Sequence, residues 1–436
     1  IDKTFISKNF EKEDGNLWKC IWPADLTYRG NQPENYHPYY GEDRPYELKT
    51  NRDQYDYTKL ARLIRIINLT PDSLELVLNI KTTIQYLAMN VLMGSWDDYR
   101  FLKNNYYLYH NPDNGLMHMV PFDYDNSFGI DWFDIDWATI DPYQYPVLDS
   151  DGRPLTEYLF SQTRYKNLFS HFLQFYNEQL FNEVTIQQKL DHYLEFLFSA
   201  AVEDTFRTLD YNFDLDDFVN SYGDNYNNLH VKKGISEFIS DRKESINNQI
   251  NFDAISPIIY DFKINNKKIV SGDSTLIKFS IFGSPSNVKF YYSKVDENDW
   301  DSINVYFNPD YSTNFIEDQD RWIANIFLND LGTYKWYLKA HNSQGSDRYP
   351  IYDYKNFEII DQLHHENLFI NEILANNSNV NFDNNEEFDD WIEIWNNSTS
   401  IIDLSGFYLT DKIDNLTKWK FPDSSSMLYQ NEYILV

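Results

Sequence analysis

The chain has a single cysteine, Cys20, in 436 residues, so no disulfide can form within it. No nucleophile motif surrounds Cys20, and it reads as a small buried hydrophobe. No stretch of 18 or more apolar residues occurs, which excludes a helical membrane span. No signal peptide is visible either. Position 1 is Ile rather than Met, so the true N-terminus is expected upstream. The other end stops at Tyr433-Ile434-Leu435-Val436, inside a strand-like run. Cations are scarce: 37 Lys and Arg face 68 Asp and Glu, for a net charge of -31. Binding a nucleic-acid backbone requires Lys and Arg, so that class of partner is disfavoured. Metal ions and cationic partners are favoured instead. The histidines form no metal motif, and His364-His365 reads as solvated loop. Ser127 has no His at useful spacing, which argues against hydrolase chemistry. No tandem repeat is visible. A hydrophobic content of 42% is ample for packed cores, so wholesale disorder is excluded and two or three domains are expected.

Two segments carry the chemistry. The first runs from Gly94-Ser95-Trp96-Asp97-Asp98 to Asn105-Tyr106-Tyr107-Leu108-Tyr109. The second is Val120-Pro121-Phe122-Asp123-Tyr124-Asp125-Asn126-Ser127-Phe128-Gly129. A helix is predicted from Asp56-Tyr57 through Leu60, Leu63, Ile64 and Ile67, and a longer one from Pro71 through Leu92. Gly94 is its expected stop, which leaves Asp97 on a loop behind a rigid helix. Tyr106 to Tyr109 and Met117 to Val120 read as a hairpin about Asn111-Pro112-Asp113-Asn114-Gly115, which would bring Asn105 beside Asp123. Further helices are predicted near 156–181, 185–202 and 233–250.

One Asp to accept a proton, with an Asn and an Asp to hold magnesium, is the polar kit of a protein kinase. Here the Asn follows the Asp by eight residues, not by the five of ordinary kinases. Asp97 and Asp98 are adjacent, and either could take the base role. Asp125 could share metal duty with Asp123 if the backbone is extended there. Loop capping or a structural calcium site is the bland alternative for all of them. From residue 104 to 152 there is no Lys or Arg but nine Asp. That stretch is either a solvated surface or a negative field around a metal site.

These motifs resemble those of the spore-coat CotH kinase family, whose pattern runs roughly G-N-W-D, H-N-Y-x-L-Y, then I-P-W-D-x-D-x-T/S-F/W-G. Ser95, Asn104 and Phe122 are the departures. Upstream, Asp14-Gly15-Asn16-Leu17-Trp18-Lys19, Ala24-Asp25-Leu26 and Tyr46-Glu47-Leu48-Lys49-Thr50 also match. Ile239-Ser240-Asp241-Arg242-Lys243 resembles the family's closing helix. The resemblance implies a secreted, extracellular or cell-surface atypical kinase using ATP and Mg. It gives Asp97 the base role and makes Asn105 and Asp123 metal ligands. Lys49 is either a phosphate contact or a surface lysine. The family's nucleotide-lobe start would lie upstream of Ile1. The implied acceptor is a Ser-rich protein, and the acidic segment would favour a basic one.

The expected fold is an α+β protein-kinase-like domain over 1–252, N-terminally truncated, followed by two all-β immunoglobulin-like sandwiches. The first sandwich spans 256–360, where Asp330-Leu331-Gly332-Thr333-Tyr334 resembles a tyrosine corner. The second, over 367–436, resembles a lamin-tail domain through Asp390-Trp391-Ile392-Glu393-Ile394-Trp395-Asn396 and Leu404-Ser405-Gly406-Phe407. Trp391 and Trp395 are expected in its core. The alternative function is a non-catalytic cell-surface scaffold, with cell-wall or glycan contact through the sandwiches.

Overall fold

The computed structural model describes residues 3–10, 12–37, 45–264, 268–308, 321–361, 368–382, 387–398, 400–413, 415–422 and 426–436. Helix α1 (Lys3–Asn9) precedes four short strands: β1 (Leu17–Cys20), β2 (Tyr46–Leu48), β3 (Tyr106–His110) and β4 (Met117–Pro121). They form one antiparallel sheet in the order β2-β1-β3-β4. Strand alternation sends Trp18, Cys20, Tyr46, Tyr106, Leu108 and Met119 to one face, into the main core. Leu17, Tyr107, Tyr109 and Val120 face the other way, under Ile6 of α1.

Helix α2 (Thr58–Leu69) buries Leu60, Leu63, Ile64 and Ile67, the stripe expected from their spacing. The long helix expected from Pro71 is two elements: a 3-10 turn, Pro71–Leu76, and α3 (Ile80–Met93). The break has a tertiary cause. Met117 of β4 donates to the Val77 carbonyl at 2.7 Å and accepts from Asn79 at 2.9 Å. Asn79 then caps α3 by accepting from the Thr82 amide at 3.1 Å. Helices α4 (Pro154–Ser161) and α5 (Thr163–Gln179) replace the single helix expected near 156–181, because Gln162 takes extended backbone. Then come α6 (Glu183–Glu203), α7 (Thr208–Tyr211), α8 (Leu215–Asn220) and α9 (Ile235–Gln249).

Residues 258–360 form two sheets around Ile277, Phe279, Phe290, Trp336 and Leu338. The Tyr334 hydroxyl donates to the Asp330 carbonyl at 3.0 Å, the bond of a tyrosine corner. This unit is joined to the helical one. Arg164 pairs with Asp347 at 2.6 Å, Lys81 with Asp261 at 2.5 Å, and His171 stacks on Phe282 at 4.5 Å.

The last unit has a three-stranded sheet of Leu368–Leu374, Trp391–Asn396 and Tyr433–Leu435, over a core of Ile394, Leu404, Phe421 and Leu428. Its register corrects the expected placing of the tryptophans. Ile392 and Ile394 face the core, so Trp391 and Trp395 lie on the opposite face, where Trp395 stacks on Tyr433 at 5.8 Å. The architecture is therefore α+β followed by β. His364-His365 lies outside the described residues. Among the described residues no helix is long and apolar enough to cross a membrane.

Candidate active site

The site is assembled where α3 ends. Gly94 ends the helix in the left-handed region, at φ 62°. A Cβ there would lie 2.7 Å from Phe238, so neither the backbone nor the space admits another residue comfortably. From α9, Arg242 donates through Nε and Nη2 to the Val91 carbonyl, at 3.0 and 2.9 Å. It thus reinforces an acceptor at the helix end whose only backbone donor among the described residues is the Gly94 amide, at 3.2 Å.

The loop that follows is braced from below. Asp98 is buried; it accepts from the Phe101 amide at 3.0 Å and from Asn90 at 2.8 Å. Burial pushes its carboxyl up to about 6. Buried Arg153 donates to the carbonyls of Tyr99, Arg100 and Phe101, at 3.1, 2.7 and 2.8 Å. Lys103 reaches Asp149 at 2.6 Å and Asp151 at 2.8 Å. The adjacent aspartates are thereby separated: Asp98 is a turn brace, and Asp97 faces the opening.

Asp97 is held by amides. Its Oδ1 accepts from Asn104 at 2.8 Å, and its Oδ2 from Asn105 at 2.9 Å and Asn126 at 3.4 Å. Asn104 also accepts from the Trp22 amide at 2.9 Å, tying this corner to the end of β1. A carboxylate only accepts, so Asn105 turns its Nδ2 to Asp97 and keeps Oδ1 for another partner. Burial holds the Asp97 carboxyl above its usual range; the Asn104 bond opposes this, and the charges of Asp125 and Asp123 add to it.

The pairing of Tyr106 with Pro121 brings Asn105 beside Phe122, next to Asp123. Asn105 and Asp123 both have positive φ, 49° and 60°. Asp123 and Asp125 are exposed, whereas the Tyr124 hydroxyl between them donates to Asn90 at 2.6 Å. The extended backbone expected across Asp123 and Asp125 is not present: the strand ends at Pro121 and Asp123 is left-handed. Asp125 accepts from Asn126 at 3.1 Å. Among the described residues the Asp123 carboxylate has no hydrogen bond or ion pair.

This donor set fits magnesium. The ion takes one or two carboxylates and leaves its other positions to water and substrate phosphates. Asn105 Oδ1, Asp123 and Asp125 supply hard oxygens, and the upward push that Asp123 and Asp125 exert on Asp97 marks charge that a cation would relieve. Among the described residues no group of three or more His, Cys, Asp or Glu forms an all-protein cage.

Lys49 is not brought to this site. It pairs with Glu47 at 2.9 Å, just past β2, at the sheet edge opposite β4. Strand register places it level with Tyr109 rather than Asn105, about 13 Å along and about 10 Å across the sheet. Lys19 of β1 has its ammonium 4.7 Å from the centre of the ring of Phe122, the residue before Asp123. Asn126 is the other residue that spacing alone did not single out. Its signal was its place inside the Asp-x-Asp-Asn-Ser-Phe-Gly run.

The acidic stretch divides in two. Asp131, Asp136 and Asp141 accept from backbone amides of their own loops, and Asp149 and Asp151 hold Lys103. Asp123 and Asp125 are the members whose charge bears on Asp97.

Comparison with known proteins is sparse but consistent at the family level. No curated protein matches the chain. Among solved structures, a crystal structure of an engineered protein is 10% identical over 28% of this chain and 26% of that one, with a TM-score of 0.16. A likeness of that size carries no argument. Residues 362–436 match the Lamin Tail Domain, in line with the small β unit there. Residues 1–246, more than half of the chain, match the CotH kinase protein family and contain every side chain of the site, so the chain belongs to the CotH kinase family.

Proposed function

We propose that this chain is a magnesium- and ATP-dependent protein kinase that acts outside the cell or at its surface, on Ser or Thr of a basic, Ser-rich protein. The observation that carries this reading is Asp97. It is gripped by Asn104 and Asn105, raised by burial, and set against the uncompensated charges of Asp125 and Asp123. A base poised this way accepts the proton of the acceptor hydroxyl as its oxygen attacks the γ-phosphorus. The bond from the γ-phosphorus to the bridging oxygen breaks, and ADP leaves. Asn105, Asp123 and Asp125 would hold magnesium, which neutralises phosphate charge when bound. Lys19, with its ammonium against the Phe122 ring, would contact a phosphate held there.

The test is incubation of the chain with magnesium and ATP labelled at the γ-phosphate, across a panel of basic and acidic Ser and Thr proteins. Label on a protein hydroxyl is expected. No label on any acceptor or on the chain itself would count against the reading.

A second reading is a glycan-binding surface scaffold. It is favoured by the second face of the last unit, where half-buried Trp395 stacks on exposed Tyr433. Calorimetry separates the two. Magnesium-dependent ATP binding supports the kinase, and glycan binding without nucleotide binding supports the scaffold.

A further inference from the structure

The outer face of the first sandwich carries a basic row, in a chain whose net charge is -31. Three neighbouring strands, Asn287–Lys294, Gly332–Asn342 and Gly345–Tyr349, set Lys289 opposite Lys339 and Lys339 opposite Arg348. Directly opposed residues share a face, and Phe290, Leu338 and Ala340 beside them point into the core, so the three cations lie on the outer side. The strand Asp301–Asn304 extends the row with Asn304. The row on one side of it holds Asn287, His341 and Ser346, and the row on the other Ser302, Tyr291 and Tyr337. None of these residues is acidic. Asp347 is next to Arg348 in sequence, but its carboxylate is turned the other way, to Arg164 at 2.6 Å and the Ile259 amide at 2.7 Å.

Like charges directly opposite one another destabilise a sheet. Strands about 4.8 Å apart place the Cα atoms of the three cations within about 10 Å. Arg348 is fixed: it donates to the Pro350 and Asp353 carbonyls, at 2.5 and 2.6 Å, and lies over Tyr337 at 4.6 Å. Lys289 and Lys339 have neither a hydrogen bond nor an ion pair among the described residues, and Lys339 is exposed. Two hollows share Lys339 and Ser346. One, of about 500 Å³, is bounded by Asn287, Tyr291, His341 and Gln344; the other, of about 400 Å³, by Trp300, Tyr337, Arg348 and Tyr354.

A groove of this make selects an anion rich in hydroxyls. The lysines take carboxylates, and the amides, hydroxyls and imidazole beside them take hydroxyl groups. It is a sheet face rather than an edge, so a peptide cannot add as a strand and bind through its main chain. A nucleic-acid backbone would meet three cations on an otherwise acidic chain. We propose that this face binds an acidic polysaccharide, with carboxylates on successive sugars held by Lys289 and Lys339 and sugar rings seated in the two hollows. The proposal concerns the first sandwich alone and stands apart from the kinase reading.

The experiment measures binding of polygalacturonate to the whole chain by calorimetry, with EDTA and without nucleotide. Its methyl ester is the twin, with the same sugars and no charge. Polygalacturonate is expected to bind at least about tenfold tighter than the ester, the scale of a charge-assisted hydrogen bond. The preference should shrink as salt rises from about 0.05 to about 0.3 M, because the Debye length shortens. The double variant Lys289→Gln with Lys339→Gln should lose the preference at an unchanged or higher melting temperature, since it removes a like-charge pair. Lys189→Gln, the same change at an exposed position of α6, should keep it. No binding, equal binding of the two polymers, a preference that survives the double variant, or one that Lys189→Gln also removes would overturn the proposal. So would poly-glutamate binding as tightly as polygalacturonate, which would make the partner an acidic protein. A lowered melting temperature of the double variant would do the same, by giving the lysines partners within the fold. The assay holds no nucleotide, so failure here leaves the kinase reading standing, and failure of phosphoryl transfer leaves this face standing.

Discussion

Arg242 reaches across 151 residues of chain to donate two hydrogen bonds to Val91, at 3.0 and 2.9 Å. It also donates to Ile140 at 2.7 Å, and it has no solvent exposure. The last helix of the domain thus secures the end of the helix that presents Asp97. Arg242→Met should remove these bonds, leaving the Ile140 carbonyl without a donor and the Val91 carbonyl with the Gly94 amide alone, at a cost of about 2–4 kcal/mol. A fall in melting temperature of several degrees is expected on thermal scanning; an unchanged melting temperature would show that the carbonyls find other donors.

Asp97→Asn should leave nucleotide affinity near its original value, because Asp97 is surrounded by amides rather than by phosphate contacts. Transfer should slow about a hundredfold or more, the scale of a lost general base. Calorimetry with magnesium and ATP, paired with single-turnover rates, checks both parts. If affinity falls and the rate per bound ATP does not, Asp97 is a metal ligand.

Asp123→Asn should abolish magnesium-dependent ATP binding and leave the melting temperature within about a degree. The side chain is exposed and has no partner among the described residues, so surface substitution costs little. Asp98→Asn is the contrast. Asp98 is buried and braces the turn, so its loss should appear in the melt as well as in activity. Equal melts for the two variants would contradict the separation of their roles.

Lys19 and Lys49 make a matched pair. Lys19→Met should weaken magnesium-ATP binding about tenfold, on the scale of a lost charge-assisted hydrogen bond, and Lys49→Met should change it little. A titration showing the reverse would move the phosphates to the β2 edge.

The contrast also marks where sequence reasoning stops. The hairpin from Tyr106 to Val120 was legible because aromatic and apolar runs flank a Pro-Asp-Asn-Gly turn, and it places Asn105 beside Asp123 without tertiary information. The α2 stripe was legible for the same local reason. The start of α3 was not, because Val77 and Asn79 are drawn off by Met117, some forty residues away. Nor was the choice between Asp97 and Asp98, which depends on which carboxylate lies under Asn90. Lys19 and Lys49 both sit in family-like blocks; only strand register tells which one reaches Phe122.

Stability should fall on acidification through two buried histidines. His118 and His171 each have an Nε2 that is buried without a hydrogen-bond partner. His118 lies against the edge of Phe10, and His171 stacks on Phe282 at the junction with the first sandwich. Burial lowers both to about 4, and Arg321 adds to the effect at His171. The unfolded chain binds these protons near pH 6.5, and the folded chain only near pH 4. Between those values the unfolded state holds more protons, so stability drops as pH falls. The contribution is complete above about pH 6.5 and gone below about pH 4, and each histidine can account for about 3 kcal/mol. Thermal scans from pH 7 to 4.5 should show a falling melting temperature, and the double variant His118→Phe with His171→Phe should show a shallower fall. A double variant as steep as the parent would assign the acid sensitivity to the carboxylates instead.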